Sequence, residues 1–293
     1  MTNQANWGIL GLGVMGKSLS RNFANKGISL ALYNREVKGS EEGVALSHTK
    51  QYFELKNALP FNTLPSFVES IKNPRKILLM LPAGSPTDKA IEKLIPLLTK
   101  GDVIIEGGNS HFKDTKERAK KLSVAGIHFL GMGVSGGEEG ALKGPALMIG
   151  GSKEGYVLVK NDLSAIAAKN SKGVSCCNFI GSGGAGHFIK MVHNGIEYGE
   201  MQLLAEVISL ALSDPSNSIK TIQKMLQDWQ KTNSESYLLD ITATLLGFQE
   251  LGRPFIDLIK DEASNKGTGA WATAEGAELG SANSLMASAL HAR

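Results

Sequence analysis

The chain has 293 residues, enough for one large or two ordinary domains with a substantial buried core. Its 31 basic and 28 acidic side chains leave a net charge of +3, and the basic residues are scattered, so no nucleic-acid partner is expected. The longest clean apolar stretch, Ile77 to Leu81 running into Pro82 and Ala83, falls far below the roughly 20 residues of a membrane-spanning helix. The polar start from Met1 to Asn6 leaves no room for a signal core, so a cytoplasmic chain with no membrane partner is the expectation. The adjacent Cys176 and Cys177 suit neither a disulfide nor a zinc-ligand spacing, and no metal is expected.

In chain order, Trp7–Leu10, Ile28–Tyr33, Lys76–Leu81, Val103–Glu106 and His128–Met132 read as strands separated by amphipathic helical stretches. That alternation predicts an α/β domain with a mainly parallel sheet covered by helices. From Gly184 onward the pattern is helical, over Phe188 to Ser213, Ile219–Gln230, Glu235–Gln249 and Leu285–Ala292, with no convincing strand. The glycine-rich run Gly181-Ser182-Gly183-Gly184-Ala185-Gly186 separates the two regimes. A sheet domain over 1–182 and an all-α helical domain over 183–293 are therefore expected.

Gly11-Leu12-Gly13-Val14-Met15-Gly16 follows the first strand and opens a helix expected from about Met15 to Asn25, ending near Gly27. In a Rossmann-like domain Gly11 permits the tight turn, Gly13 lets backbone approach a pyrophosphate, and Gly16 lets helix and strand pack closely. The helix N-terminus attracts the anion. The second strand ends at Asn34, where an NAD site usually places a carboxylate on the ribose, and Arg35 follows with donors suited to a 2′-phosphate. These residues lean toward NADP and leave NAD open, because Glu36 would repel that phosphate unless turned away.

The run from His187 to Tyr198 places Lys190, Asn194 and Glu197 along one helical stripe, flanked by His193 and Tyr198. That layout suits an acid/base pair along a ligand, and it equally suits a solvated polar face. Small-residue loops follow two strands, at Gly107-Gly108-Asn109-Ser110 and at Val134-Ser135-Gly136-Gly137-Glu138-Glu139-Gly140, and a third loop is Asn265-Lys266-Gly267-Thr268-Gly269. Each alone reads as well as a turn. Together they point to an anionic polyol.

At these motifs the chain resembles the decarboxylating 6-phosphogluconate dehydrogenases, most specifically over Gly186 to Gly199. The resemblance implies NADP-dependent oxidative decarboxylation of 6-phosphogluconate in the pentose phosphate pathway, by a homodimer. It makes Lys190 the general base and Glu197 the general acid. It implies that Asn109, Ser135, Gly136, Gly137, His193 and Asn194 hold the sugar acid, and that Tyr198, Lys266, Thr268 and Arg293 bind its phosphate. On the cofactor side it matches Leu12 to Lys17, Asn34 to Glu36, Leu81, Pro82 and Ala83, with Asn109 beside them. The chain departs from NADP-using members at Glu36, usually threonine, and at Pro82, commonly lysine. Long members of the family continue past the position of Arg293, so the chain is expected to correspond to a long-type sequence without its C-terminal part, which in the family reaches the partner subunit's site.

Two other readings fit the same residues. A β-hydroxyacid dehydrogenase acting on a small carboxylic acid shares the glycine loop and a helix lysine, but gives Lys266, Thr268 and Arg293 no task. A nucleotide- or sugar-phosphate-binding module with little turnover is the third.

Overall fold

The computed structural model describes residues 4–264 and 267–293. In the first part β1 (Trp7–Leu10) leads to α1 (Val14–Asn25), β2 (Leu30–Tyr33) to α2 (Val44–Gln51), and β3 (Leu59–Phe61) to α3 (Leu64–Glu69). The alternation continues with β4 (Lys76–Leu79), α4 (Ser85–Leu94), β5 (Val103–Glu106), α5 (Phe112–Val124), β6 (His128–Ser135) and α6 (Gly137–Lys143). β7 (Ala146–Gly151), α7 (Lys153–Ile166) and β8 (Cys177–Gly181) complete it. The strands form one sheet in the order β3-β2-β1-β4-β5-β6-β7-β8, parallel throughout except for the antiparallel pair β6 and β7. The strand order reverses beside β1 and β4, which opens the crevice at their carboxyl ends where doubly wound sheets take ligands.

Apolar runs form these strands because both sheet faces are covered. Trp7 and Ile9 of β1 enter one core with Leu30, Leu32, Phe23 and Leu78, whereas Leu10 enters the other with Ala31, Ile77, Leu79 and Phe67. β1 and β5 have the expected bounds, and β6 runs three residues beyond Met132, to Ser135. β2 starts at Leu30 and β4 stops at Leu79. Three strands have no counterpart among the expected ones: β3, an edge strand carrying Pro60, the antiparallel β7, and β8 at the opposite edge with alternating burial.

Two compact units divide within one helix, Met1–Lys190 and Met191–Arg293. That helix, α8 (Ala185–Leu212), starts three residues ahead of the expected Phe188. In the second unit α9 (Ile219–Trp229) and α10 (Tyr237–Gly247) are N-capped by Ser218 and Ser236. Their faces bury Ile222, Leu226, Leu239, Ala243 and Leu246 around Ile208 of α8. One expectation fails: β9 (Gln249–Glu250) and β10 (Arg253–Pro254) form a two-stranded antiparallel hairpin, turned by Leu251 and Gly252 at positive φ. The last helices are α11 (Thr268–Glu278) and α12 (Ser284–His291), and the first of them was not expected from the pattern. Among the described residues no helix is long and apolar enough to cross a membrane.

Candidate active site

The glycines of the first loop have separate tasks. Gly11 adopts φ +97, and a Cβ there would strike the Met80 carbonyl; a Cβ at Gly16 would strike the Gly11 carbonyl oxygen. Gly13 is different: nothing lies within 4 Å of a Cβ built on it. It caps α1 in an extended conformation with no side-chain cap, beside the exposed Val14 and the half-buried Met15, and the Lys17 N–H donates to its carbonyl at 2.9 Å. An open glycine at an uncapped helix N-terminus fits a dinucleotide pyrophosphate. The Leu12 N–H donates to Asn34 Oδ1 at 3.0 Å, which fixes the loop to the end of β2.

Glu36, the expected obstacle to a 2′-phosphate, accepts from the Gly43 N–H at 3.0 Å, at the start of α2. Arg35 is exposed and pairs with Glu41 at 3.0 Å. The segment after β4 keeps Leu81 half-buried and Pro82 and Ala83 exposed, and Thr87 Oγ1 donates to the Pro82 carbonyl at 2.9 Å. A Cβ at Gly108 would lie 2.6 Å from the Leu81 carbonyl oxygen, so the loop after β5 that carries Asn109 closes directly against this segment.

A buried polar cluster that the sequence reading did not single out supports both loops. Arg118 of α5 donates to Glu106 at 3.0 Å, to Asp88 of α4 at 2.7 Å and to Ser110 Oγ at 3.2 Å, and Ser110 itself hydrogen-bonds Glu106. Burial pushes the Glu106 carboxyl above its usual range, against the pull of Arg118.

The first turn of α8 is seated on β6. A Cβ at Gly131 would lie 3.0 Å from the His187 ring, and one at Gly133 would lie 2.5 Å from Lys190 Cβ. His187 is 2% exposed, with Nδ1 2.7 Å from Thr115 Oγ1, and burial together with the Arg118 charge lowers it to about 4. Lys190 is 7% exposed and packs on β6, the strand that ends at Ser135. Gly136 and Gly137, both at positive φ, turn the chain from that strand into α6.

The second unit gathers most of its expected site residues. His193 Nδ1 lies 3.3 Å from Glu197 one turn along α8, both partly exposed. Asn194 Nδ2 donates to Thr268 Oγ1 at 3.2 Å. A Cβ at Gly269 would come within 2.5 Å of the Tyr198 ring, so the start of α11 packs directly against it, and the Arg293 guanidinium sits 4.1 Å from the ring centroid. Thr268 is the first residue of α11, after Gly267 at φ +91. Lys266 lies outside the described residues.

A family model described as the NAD binding domain of 6-phosphogluconate dehydrogenase matches residues 6–181, and one for the 6-phosphogluconate dehydrogenase C-terminal domain matches residues 186–293. The chain is 45% identical over 287 residues to the decarboxylating 6-phosphogluconate dehydrogenase of Klebsiella pneumoniae, covering 98% of itself and 60% of that relative's length. It is similar, at TM-score 0.91 and 35% identity, to Plasmodium falciparum 6-phosphogluconate dehydrogenase, solved in its apo form, with its cofactor NADP+ and with its substrate 6-phosphogluconate; the match covers 98% of this chain and 61% of that one. Mycobacterium tuberculosis 3-hydroxyisobutyrate dehydrogenase shares the fold at TM-score 0.71 and 18% identity, over 98% of this chain and 91% of that one. With the two models matching residues 6–181 and 186–293, along the loops and helix described above, the chain belongs to the 6-phosphogluconate dehydrogenase family.

Proposed function

We propose that this chain carries out the oxidative decarboxylation of 6-phospho-D-gluconate to D-ribulose 5-phosphate and carbon dioxide with NADP, as a cytoplasmic homodimer. The observation that carries the reading is Lys190: a buried lysine whose Cβ and Cγ press against Gly133, on the same helix as Glu197. Seven residues of helix rise about 10.5 Å, the span of a substrate lying along it.

The nicotinamide, when bound, supplies the hydride acceptor for C3 of the sugar acid. Neutral Lys190 takes the proton of the C3 hydroxyl, and in its protonated form returns a hydrogen bond to the ketone oxygen as the carboxylate leaves. Glu197 then protonates C1 of the enol as Lys190 takes back the proton of the enol oxygen, which leaves the ketose. Asn109, Ser135, Gly136, Gly137, His193 and Asn194 orient the hydroxyls and carboxylate. Tyr198, Thr268 and Arg293, with Lys266, receive the phosphate, a task that a small unphosphorylated hydroxyacid would leave empty. Asn34 and Arg35 face the adenosine ribose.

The test is reduction of NADP by 6-phosphogluconate, followed by absorbance beside equilibrium binding of both ligands. Lys190→Ala and Glu197→Ala are expected to bind substrate and lose about 10²–10⁴-fold in turnover. Near-normal rates would remove the assigned roles, and saturable binding of both ligands by the wild-type chain without reduction would make it a binding module. Turnover of 3-hydroxyisobutyrate in preference would move the substrate class. Light scattering reports whether the chain is a dimer.

A further inference from the structure

Beyond Arg35 the chain doubles back on itself. Val37 and Glu41 exchange backbone hydrogen bonds at 3.2 and 2.9 Å around Gly39 at φ +81, and this closed loop returns Glu41 to the end of β2. Three carboxylates stand nearby and they differ in what they face. Glu36 accepts from the Gly43 N–H at 3.0 Å and Glu42 from the Gly39 N–H at 2.8 Å, both backbone donors. Glu41 instead takes two side chains: Arg35 at 3.0 Å to Oε1 and 3.4 Å to Oε2, and Asn34 Nδ2 at 2.9 Å to Oε2. The hydrogen bonds from Arg35 and then Asn34 hold its carboxyl below the usual range, so it is an anion at neutral pH.

Arg35 and Asn34 are the donors assigned above to the adenosine ribose, and a 2′-phosphate needs the same guanidinium and amide. We propose that Glu41 is a tethered anion occupying the seat of the adenosine 2′-phosphate, so that it weakens the preference for NADP over NAD that Asn34 and Arg35 would otherwise impose. A 2′-phosphate has to displace the carboxylate from both donors. A ribose 2′-hydroxyl does not, because it can donate to the carboxylate where it stands. Glu41 is thus a specificity-determining residue, and its role rests on the use of a nicotinamide dinucleotide proposed above.

The measurement is equilibrium binding of NADP and of NAD to the full chain by calorimetry, for the wild type, Glu41→Gln and Glu42→Gln, with circular dichroism as a check on folding. Glu41→Gln is expected to tighten NADP about three- to tenfold and leave NAD unchanged or weaker, as expected from removing one exposed, salt-screened ion pair. Glu42→Gln should leave the ratio of the two affinities where it was. A ratio that moves less than about twofold in Glu41→Gln, or equally in both variants, overturns the proposal while leaving the dinucleotide reading intact. Failure of the folded wild type to bind either nucleotide overturns that reading and the role of Glu41 with it.

Discussion

Thr115 Oγ1 lies 2.7 Å from His187 Nδ1, and this buried contact ties the first turn of α5 to the first turn of α8, three residues before Lys190. His187 is therefore part of what fixes the helix carrying the proposed base, and it does so as a neutral ring, lowered to about 4 by burial and by the Arg118 charge.

That depressed value has a defined consequence for stability. Above about 6.5 His187 is neutral in both folded and unfolded chains and makes no difference. As pH falls from about 6.5 toward about 4 the unfolded chain gains a proton that the folded one refuses, so stability declines, and below about 4 the decline ends. The ceiling is about 3 kcal/mol for such a shift. His48, also lowered to about 4, chiefly by burial, adds a second decline of the same sign. The raised Glu106 acts in the opposite direction, losing stability as pH rises through its folded value. Subtracting the urea-unfolding profile of His187→Gln from that of the wild type isolates the His187 part. Parallel profiles between pH 7 and 4.5 would show that the ring is not held neutral.

Arg118 joins the first turn of α4 to the end of β5 and the loop after it through Asp88, Glu106 and Ser110, and Arg118 and Glu106 are 6% and 1% exposed. Replacing one member of such a buried pair leaves the other charge uncompensated, so Arg118→Met is expected to cost about 3–5 kcal/mol in chemical denaturation. Arg118→Met combined with Glu106→Leu should recover a large part of that, because the orphaned carboxylate goes as well. Strictly additive losses would mean the two side chains do not depend on each other.

How much of this was legible in the sequence follows from the range of the forces involved. β1 and β5 are read to the residue because both are apolar runs buried on two faces. β7 and β8 escape because Ala146–Gly151 ends in two glycines, and Cys177–Gly181 carries a glycine and two exposed positions that dilute any period. Thr268, expected in a loop, is the first residue of α11, with Gly267 at the helix start and Gly269 against Tyr198. The stripe of Lys190, Asn194 and Glu197 was visible because helical spacing is local. The Arg118 cluster and the Thr115–His187 contact were not, since they join residues distant in sequence and have no periodic signature.

Gly133 offers a test of how closely α8 is seated. A Cβ there would lie 2.5 Å from Lys190 Cβ and 3.2 Å from the Gly186 carbonyl oxygen, which is backbone and cannot swing aside. Gly133→Ala should cost about 1–3 kcal/mol from overpacking. Displacing the proposed base by about 1 Å is expected to lower turnover about 10²-fold while dinucleotide binding at the Gly11–Gly16 loop, three strands away in the sheet, is unchanged. A variant with wild-type turnover would show that Lys190 does not need that seat.

The glycine loop separates a folding requirement from a binding one within four residues. At Gly16 an added Cβ meets the Gly11 carbonyl oxygen, so Gly16→Ala forces the backbone of the loop and α1 apart and should cost about 3 kcal/mol or more. At Gly13 the added Cβ meets nothing, the backbone is extended, and the loss of a glycine at the helix cap costs under about 1 kcal/mol. Gly13→Ala should therefore keep nearly the wild-type melting temperature, and its methyl group should stand where the pyrophosphate has to approach the first turn of α1. The expected result is a folded chain whose affinity for NADP falls by at least about tenfold, roughly 1.4 kcal/mol. Unchanged NADP binding in a folded Gly13→Ala chain would mean that the open space above Gly13 is not where the dinucleotide lies.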